Sequence, residues 1–261
     1  MTCKSVVGIV LLAVIMSSAT DFAFGQGRRD LHLSIGYKAW LNSWQSSLNT
    51  FPPQQGANVQ SVTSDLTFAQ IPAATILYKN IFFTGGYFFS QTYTFPNFTD
   101  VLNVGGTPFT ATIKSTATRR EIDANVGYAL GSSLALSVGY KRVTQNYHTE
   151  LTAPGLVGDT TNSRTIYKGP TFVIAANAGL SGGLALYENF AYGFMSVEKI
   201  VAQTSPYVSS EFGFIYSFEP ITIQLAFKYQ VIETRLNDPA FAGQKASDVT
   251  KGLLLGAFLR F

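Results

Sequence analysis

Apolar and polar residues alternate along most of the chain after residue 25, and this period of two is typical of β-strands with two different faces. The last eleven residues, KGLLLGAFLRF, place Leu253, Leu255, Ala257, Leu259 and Phe261 at every second position. A membrane-spanning helix needs ~20 residues, whereas a membrane-spanning strand needs only ~9–11. The alternation predicts about ten strands, at 30–42, 65–78, 81–93, 112–130, 134–147, 163–180, 184–197, 206–218, 221–235 and 248–261.

The connections between these strands alternate in length. Four are minimal, at 79–80, 131–133, 181–183 and 219–220, and longer polar segments lie between them. A transmembrane barrel shows this asymmetry because its periplasmic turns are short and its extracellular loops are long. The sequence therefore predicts an all-β, antiparallel, up-and-down transmembrane barrel whose two termini both lie at the periplasmic end.

Two hairpins, folded back about 131–133 and 219–220, each place an opposite-charge pair on one face and apolar residues on the other. We expect the apolar faces to contact lipid and the charges to line the lumen. Two interpretations remain open: a salt-bridge network that fills and stiffens a closed barrel, or a narrow polar passage. The predicted lumen charges are Asp123, Lys141, Glu211, Lys228, Arg119 and Glu121.

The first 25 residues follow a different pattern. Lys4 precedes an apolar run at 6–16, which is too short for a membrane anchor, and small residues stand at −3 and −1 before Gln26. We predict a signal peptide at 1–25, with a second candidate cleavage site after 17–19, and one barrel domain at 26–261. The single cysteine, Cys3, would leave with this peptide, so the mature chain would contain no disulfide.

Composition removes several classes of function. The net charge is only +3 and no Lys/Arg-rich block exists, so nucleic-acid binding is not predicted. The two histidines are far apart in sequence, which makes a metal site improbable. The glycine-rich segment at 103–109 lacks the strand-to-helix setting of a phosphate loop, and we predict no cofactor.

The mature chain resembles Gram-negative outer-membrane β-barrel proteins over its whole length. Its last strand is similar to their C-terminal assembly signal, with Phe261 at the end, Leu259 two residues before it and Gly256 three residues earlier. Leu254 departs from the pattern, which usually has a polar residue there. The resemblance implies export through the periplasm, recognition by the barrel-assembly machinery and a location in the outer membrane. It does not reach a particular subfamily.

Three outward-facing cations are predicted at the height of the outer membrane interface. The hairpin register places Arg120 and Arg142 on one face, and Lys168 lies at a similar height on its own strand. Such side chains either extend to lipid headgroups or form a site for lipopolysaccharide phosphates, which arginine binds through two parallel hydrogen bonds.

Glu188 is predicted on the lipid side, where a carboxylate costs about 2 kcal/mol near the membrane midplane. We favour a β-bulge at 187–189 that turns this side chain inward. The alternative is contact with a partner protein or a second protomer.

Three functions stay open. We favour a narrow or gated channel for small solutes over a closed barrel that serves surface binding or envelope integrity. A hydrolase at the rim is the third, because His148 and Glu150 share one side of a strand. Neither a positioned nucleophile nor paired aspartates accompany them, so we do not predict an enzyme.

Overall fold

The computed structural model describes residues 31–47, 61–104, 107–153, 159–198, 202–236 and 245–261. The predicted signal peptide at 1–25 lies outside these described residues. No helix in the described part of the chain is long and apolar enough to cross a membrane.

Ten of the twelve strands in the described residues form one closed antiparallel barrel, as the sequence predicts. The last strand pairs with the first from Ser34↔Arg260 to Ser46↔Asp248, so the barrel wall has no open edge. Closure is required in lipid because unpaired backbone groups find no water there. The barrel strands are β1 (Leu31–Ser46), β3 (Thr67–Tyr78), β4 (Ile81–Thr94), β6 (Thr107–Ala129), β7 (Leu134–Thr152), β8 (Asp159–Ser181), β9 (Leu184–Glu198), β10 (Ala202–Phe218), β11 (Ile221–Leu236) and β12 (Lys245–Arg260).

Two further strands lie outside the barrel wall, and the sequence did not predict them. β2 (Val62–Thr63) pairs with the outer end of β1, and β5 (Phe98–Val104) pairs with the outer end of β6. The strands β6, β7 and β8 have 23, 19 and 23 residues, well beyond the ~9–11 that cross a bilayer. Our prediction ended these three strands too early on the loop side. They extend past the membrane and form a sheet with β5 above its outer surface.

As predicted, tight turns join the strands at the end of the barrel where β1 begins and β12 ends, which we call the periplasmic end. Lys79-Asn80 joins β3 to β4, and Gly182-Gly183 joins β8 to β9, with Ser181 belonging to β8. Lys79 has a φ of 54°, and the two glycines have φ values of 58° and 86°. Positive φ values of this kind allow a two-residue turn whose twist matches the flanking strands. The turns thereby fix the register of both hairpins.

The outward face of the barrel is an apolar belt. On β12, Leu253 and Leu255 expose 57% and 55% of their surface. In the β10–β11 hairpin the exposed rings of Phe212 and Phe227 lie directly opposite each other, as the sequence predicts. Burying such surface away from water gains about 25 cal/mol per Å², and on this face only hydrocarbon can provide that environment. The belt therefore contacts lipid, and the chain spans a membrane.

The β3–β4 hairpin is apolar on both faces, and the sequence left open which face meets lipid. Ile76 and Phe83 point outward, whereas Leu77, Phe82 and Phe88 point into the barrel. The lumen consequently has an apolar wall on this side.

Candidate functional site

The lumen is filled at its outer end. The rings of Trp44 and Tyr93 lie 5.3 Å apart between centroids, and those of Trp44 and Tyr147 lie 5.4 Å apart. All three residues are buried. A ten-stranded barrel is only slightly wider than one that side chains fill completely, so large inward residues close it. We call the following group the plug: Trp44, Tyr93, Arg119, Tyr147, Tyr167 and Asp248.

A buried carboxylate lies within the plug. The oxygens of Asp248 accept hydrogen bonds from Trp44 Nε1 at 3.2 Å, Ser46 Oγ at 2.5 Å and Tyr167 OH at 3.2 Å. Together with Tyr147 OH at 3.5 Å, these neutral donors hold the carboxylate and link β12 to β1, β7 and β8 across the lumen. Sequence reasoning missed Asp248 as a site residue, although it shares the inward parity of Leu254.

A first charge network includes Arg119 of the plug and extends beyond it. Glu121 contacts Arg119 Nη2 at 2.7 Å through Oε1 and Lys141 Nζ at 2.7 Å through Oε2. Lys141 Nζ also lies 3.2 Å from Asp123 Oδ2. The guanidinium of Arg119 packs 5.5 Å from the centroid of the Trp44 ring. The predicted Asp123–Lys141 contact is confirmed, and the structure joins it to Arg119 and Glu121 in one chain of four charges.

A second charge network lies deeper in the barrel. Glu211 contacts Lys228 Nζ at 3.2 Å, as predicted, and also Lys38 Nζ at 2.9 Å. Tyr187 OH and Gln224 Nε2 donate to the same carboxylate at 3.1 and 2.8 Å. Sequence reasoning missed Lys38, which lies on β1, 173 residues from Glu211 in the sequence.

The inner half of the lumen is hollow. Two cavities of about 230 and 330 Å³ share Lys38, Ala73 and Thr84 in their walls. The first ends against Glu121 and Lys141, and the second reaches the residues beside the periplasmic turns. We call these adjoining cavities the vestibule. Small inward residues such as Ala73, Gly86 and Ala175 contribute to this space.

The three predicted outward cations lie on neighbouring strands. Arg142 faces Lys168 directly, and Arg120 lies opposite Thr144, which is two residues above Arg142. Lys168 forms an ion pair with Glu198. Within the described residues neither arginine forms a salt bridge, and the buried Nε of Arg142 has no hydrogen-bond partner. The structure therefore places all three side chains together just above the belt.

His148 lies at the outer rim, on the part of β7 that extends past the membrane. Its Nδ1 lies 2.8 Å from Asn162 Oδ1, and its Nε2 lies 3.3 Å from Glu150 Oε1. Both contacts favour a protonated ring, so the hydrogen bond to Asn162, followed by that to Glu150, raises the pKa of His148 above its usual value. Among the described residues neither ring nitrogen contacts a serine, threonine or cysteine, and no three His, Cys, Asp or Glu residues form a group that could hold a metal.

The predicted bulge at Glu188 is wrong. The register between β9 and β10 runs unbroken from Leu184 to Met195, with Glu188 opposite the exposed Phe212. Successive side chains of a strand point to opposite faces. Because Tyr187 points into the lumen, Glu188 points outward. The irregularity lies instead on β8, between Gly179 and Ser181. Contact with a partner or second protomer at Glu188 stays a prediction.

The terminal strand has the orientation that the sequence predicts. Leu259 and Phe261 are exposed, Leu254 is fully buried, and Gly256 lies opposite Lys38 on β1 and Gln224 on β11. A Cβ at Gly256 would lie 2.9 Å from the Gln224 side chain and 3.0 Å from the Phe258 ring. Glycine at this position therefore has a packing role as well as its predicted part in the assembly signal.

Comparisons with known proteins identify structures that have a similar architecture. No protein-family model and no curated protein sequence matches the chain. The outer-membrane protease OmpT from Escherichia coli is similar with a TM-score of 0.55 and 12% identity, over 93% of this chain and 100% of that one. The transport unit of the autotransporter AIDA-I from Escherichia coli is similar with a TM-score of 0.38 and 9% identity, over 99% of this chain and 98% of that one. Ail of Yersinia pestis is similar with a TM-score of 0.37 and 8% identity, over 89% of this chain and 100% of that one. The closed ten-stranded wall, its lipid-facing belt and the likeness to OmpT show that the chain has the fold of outer-membrane β-barrel proteins.

Proposed function

We propose that this protein is a gated channel for small solutes, with the vestibule as its inner half and the plug as its gate. The observation that supports the proposal is the vestibule itself, which runs from the periplasmic end to the foot of the plug. A barrel that served only as a rigid support would gain stability by filling this space, since interiors close-pack wherever they can.

The charges at the foot of the plug provide a route to opening. Lys141 bridges Glu121, which belongs to the plug side, and Asp123, whose side chain is 38% exposed. A shift of Lys141 towards Asp123 alone keeps both lysine and aspartate paired. Removing a single partner from a buried charge is strongly unfavourable, so an exchange of partners is the less costly way to loosen the plug.

Recording in planar bilayers tests the proposal. The refolded wild-type protein should show brief, low-conductance openings, and Trp44→Ala with Tyr93→Ala should raise the mean conductance several-fold because two rings leave the plug. Phe172→Ala with Phe194→Ala is the matched control, since these two rings contact each other on the lipid face. Silence of both wild type and plug variant at all voltages would contradict a channel.

A closed surface-binding barrel is the second candidate. It is favoured by the sheet of β5, β6, β7 and β8 above the membrane, which a simple pore does not need. The same recordings separate the two candidates. A rim hydrolase has less support, because both ring nitrogens of His148 are engaged by Asn162 and Glu150, and we propose no enzymatic activity.

We also propose that Arg120, Arg142 and Lys168 bind phosphate groups of lipopolysaccharide. Like charges on directly opposite strand positions destabilise a sheet, and Arg142 faces Lys168 in this way. Glu198 neutralises only the lysine. Two arginines remain for an anion, and arginine binds phosphate through two parallel hydrogen bonds.

Lipopolysaccharide retention measures this contact. Arg120→Ala with Arg142→Ala should reduce the lipopolysaccharide that copurifies with the barrel. Lys114→Ala with Lys251→Ala removes two exposed cations elsewhere on the outer surface and should leave the amount unchanged. Equal retention by both double variants would show that the arginines only extend to the headgroups.

A further inference from the structure

The second charge network carries a surplus positive charge. Glu211 is the carboxylate that both Lys38 and Lys228 contact, and within the described residues neither lysine has another acidic partner. The first network, in contrast, balances two cations against two carboxylates. Both lysines line the first cavity and keep 19% and 18% of their side chains exposed. The surplus charge therefore faces the vestibule.

A hydrogen-bond donor lines the same cavity without an acceptor. Trp40 is fully buried, and its Nε1 has no hydrogen-bond partner within the described residues. The ammonium of Lys228 lies 5.4 Å from the centroid of the Trp40 ring. A buried N–H group is costly to leave unbonded. The wall of the cavity thus combines an unpaired indole N–H group and a positive charge over the same ring.

The remaining wall is apolar. Ile71, Phe82 and Phe88 line the first cavity on β3 and β4, where Ile71 lies directly opposite Lys38 of β1, and Trp40 packs edge-on against Phe88 at 6.1 Å. A cavity of about 150 Å³ is sufficient for a benzene ring, and each of the two cavities here exceeds that volume. The volume is therefore sufficient for a flat apolar group against this wall, next to the lysines.

We propose that the vestibule binds a small organic monoanion with a flat apolar body, its anionic head on Lys38, Lys228 and Trp40 Nε1 and its body against Ile71, Phe82 and Phe88. This inference deepens the proposed channel by naming its solute class, and rests on that function for its biological meaning. A cation would meet the surplus charge, a neutral ring would leave that charge uncompensated, and an inorganic anion would leave the apolar wall in contact with water.

The two tryptophans provide the measurement. The chain has only Trp40 and Trp44, so biosynthetic labelling with 5-fluorotryptophan gives two fluorine resonances in the refolded barrel, and Trp40→Phe assigns them. Benzoate, as the probe, should shift the Trp40 resonance saturably and leave that of Trp44, in the plug, unmoved. Benzyl alcohol, which lacks the charge, and acetate, which lacks the ring, should each bind roughly tenfold more weakly or worse.

One variant removes only the surplus charge. Lys38→Met leaves Glu211 and Lys228 as a balanced pair, so the barrel should fold, which heat-dependent gel mobility verifies, while benzoate affinity falls roughly tenfold or more. Lys114→Met at the exposed rim is the control. Unchanged affinity in Lys38→Met, equal binding of benzyl alcohol, or no shift of Trp40 would overturn the proposal. Bilayer silence together with benzoate binding would refute the channel and leave the site.

Discussion

Glu121→Gln is expected to lower the free energy of unfolding by about 3–5 kcal/mol, the usual cost of removing one partner from a buried ion pair. The carboxylate is 5% exposed and holds Arg119 and Lys141, which are 1% and 3% exposed. The amide keeps the shape of the side chain but not its charge. Lys141 still has Asp123, whereas Arg119 loses its only ion-pair partner among the described residues.

Urea unfolding of the barrel in lipid vesicles, followed by tryptophan emission, measures this loss. Adding Arg119→Met to Glu121→Gln removes the orphaned cation and should recover most of the stability. Glu150→Gln at the exposed rim, which also removes one carboxylate from a lysine contact, should have no measurable effect. A Glu121→Gln barrel as stable as wild type would mean that water already compensates these charges.

The strand pattern and both charged hairpins could be predicted from the sequence, because side chains in a strand alternate with period two and a short turn fixes the register. From the turn at 131–133 alone, Asp123 falls opposite Lys141. The same rule put Leu254 inside and Leu253 outside on the closing strand. The spacing of residues along the chain was therefore sufficient to predict which side chains lie opposite each other when both belong to one hairpin.

Contacts across the lumen could not be predicted in this way. Lys38 and Glu211, or Ser46 and Asp248, meet because strands far apart in sequence face each other, and this depends on the stagger of the closed barrel. The prediction of a bulge at Glu188 was wrong for another reason. Three successive polar residues at 187–189 suggested a bulge, although two of them point inward, where Tyr187 reaches Glu211.

The outward and inward faces of the barrel have separate roles. The apolar belt explains why the protein lies in a membrane, and it would serve many other barrels equally well. Its particular chemistry lies inside, in the plug and vestibule, and at the outer rim, in the pair of arginines. Variants of the lumen should therefore alter conductance, binding or stability without changing membrane insertion, whereas variants of the closing strand should change insertion itself.

Deleting Phe261 is expected to remove most of the assembled barrel from the outer membrane. Its N–H donates to Leu33 O at 2.8 Å, and Leu33 N–H donates back to Phe261 O at 3.2 Å, at the end of the seam between β12 and β1. Each unpaired backbone group facing lipid costs several kcal/mol. The deletion also removes the aromatic ring that, by resemblance, the assembly machinery recognises.

Phe261→Ala separates these two causes, because it retains both seam hydrogen bonds and loses only the ring. If the ring acts as an assembly label, Phe261→Ala should refold in vesicles like wild type and yet be depleted from the outer membrane of cells, as judged by heat-dependent gel mobility of membrane fractions. Phe218→Ala, an exposed ring beside a periplasmic turn on β10, should be normal in both assays. Wild-type levels of Phe261→Ala in cells would show that the seam alone matters, and wild-type levels after the deletion would contradict both roles.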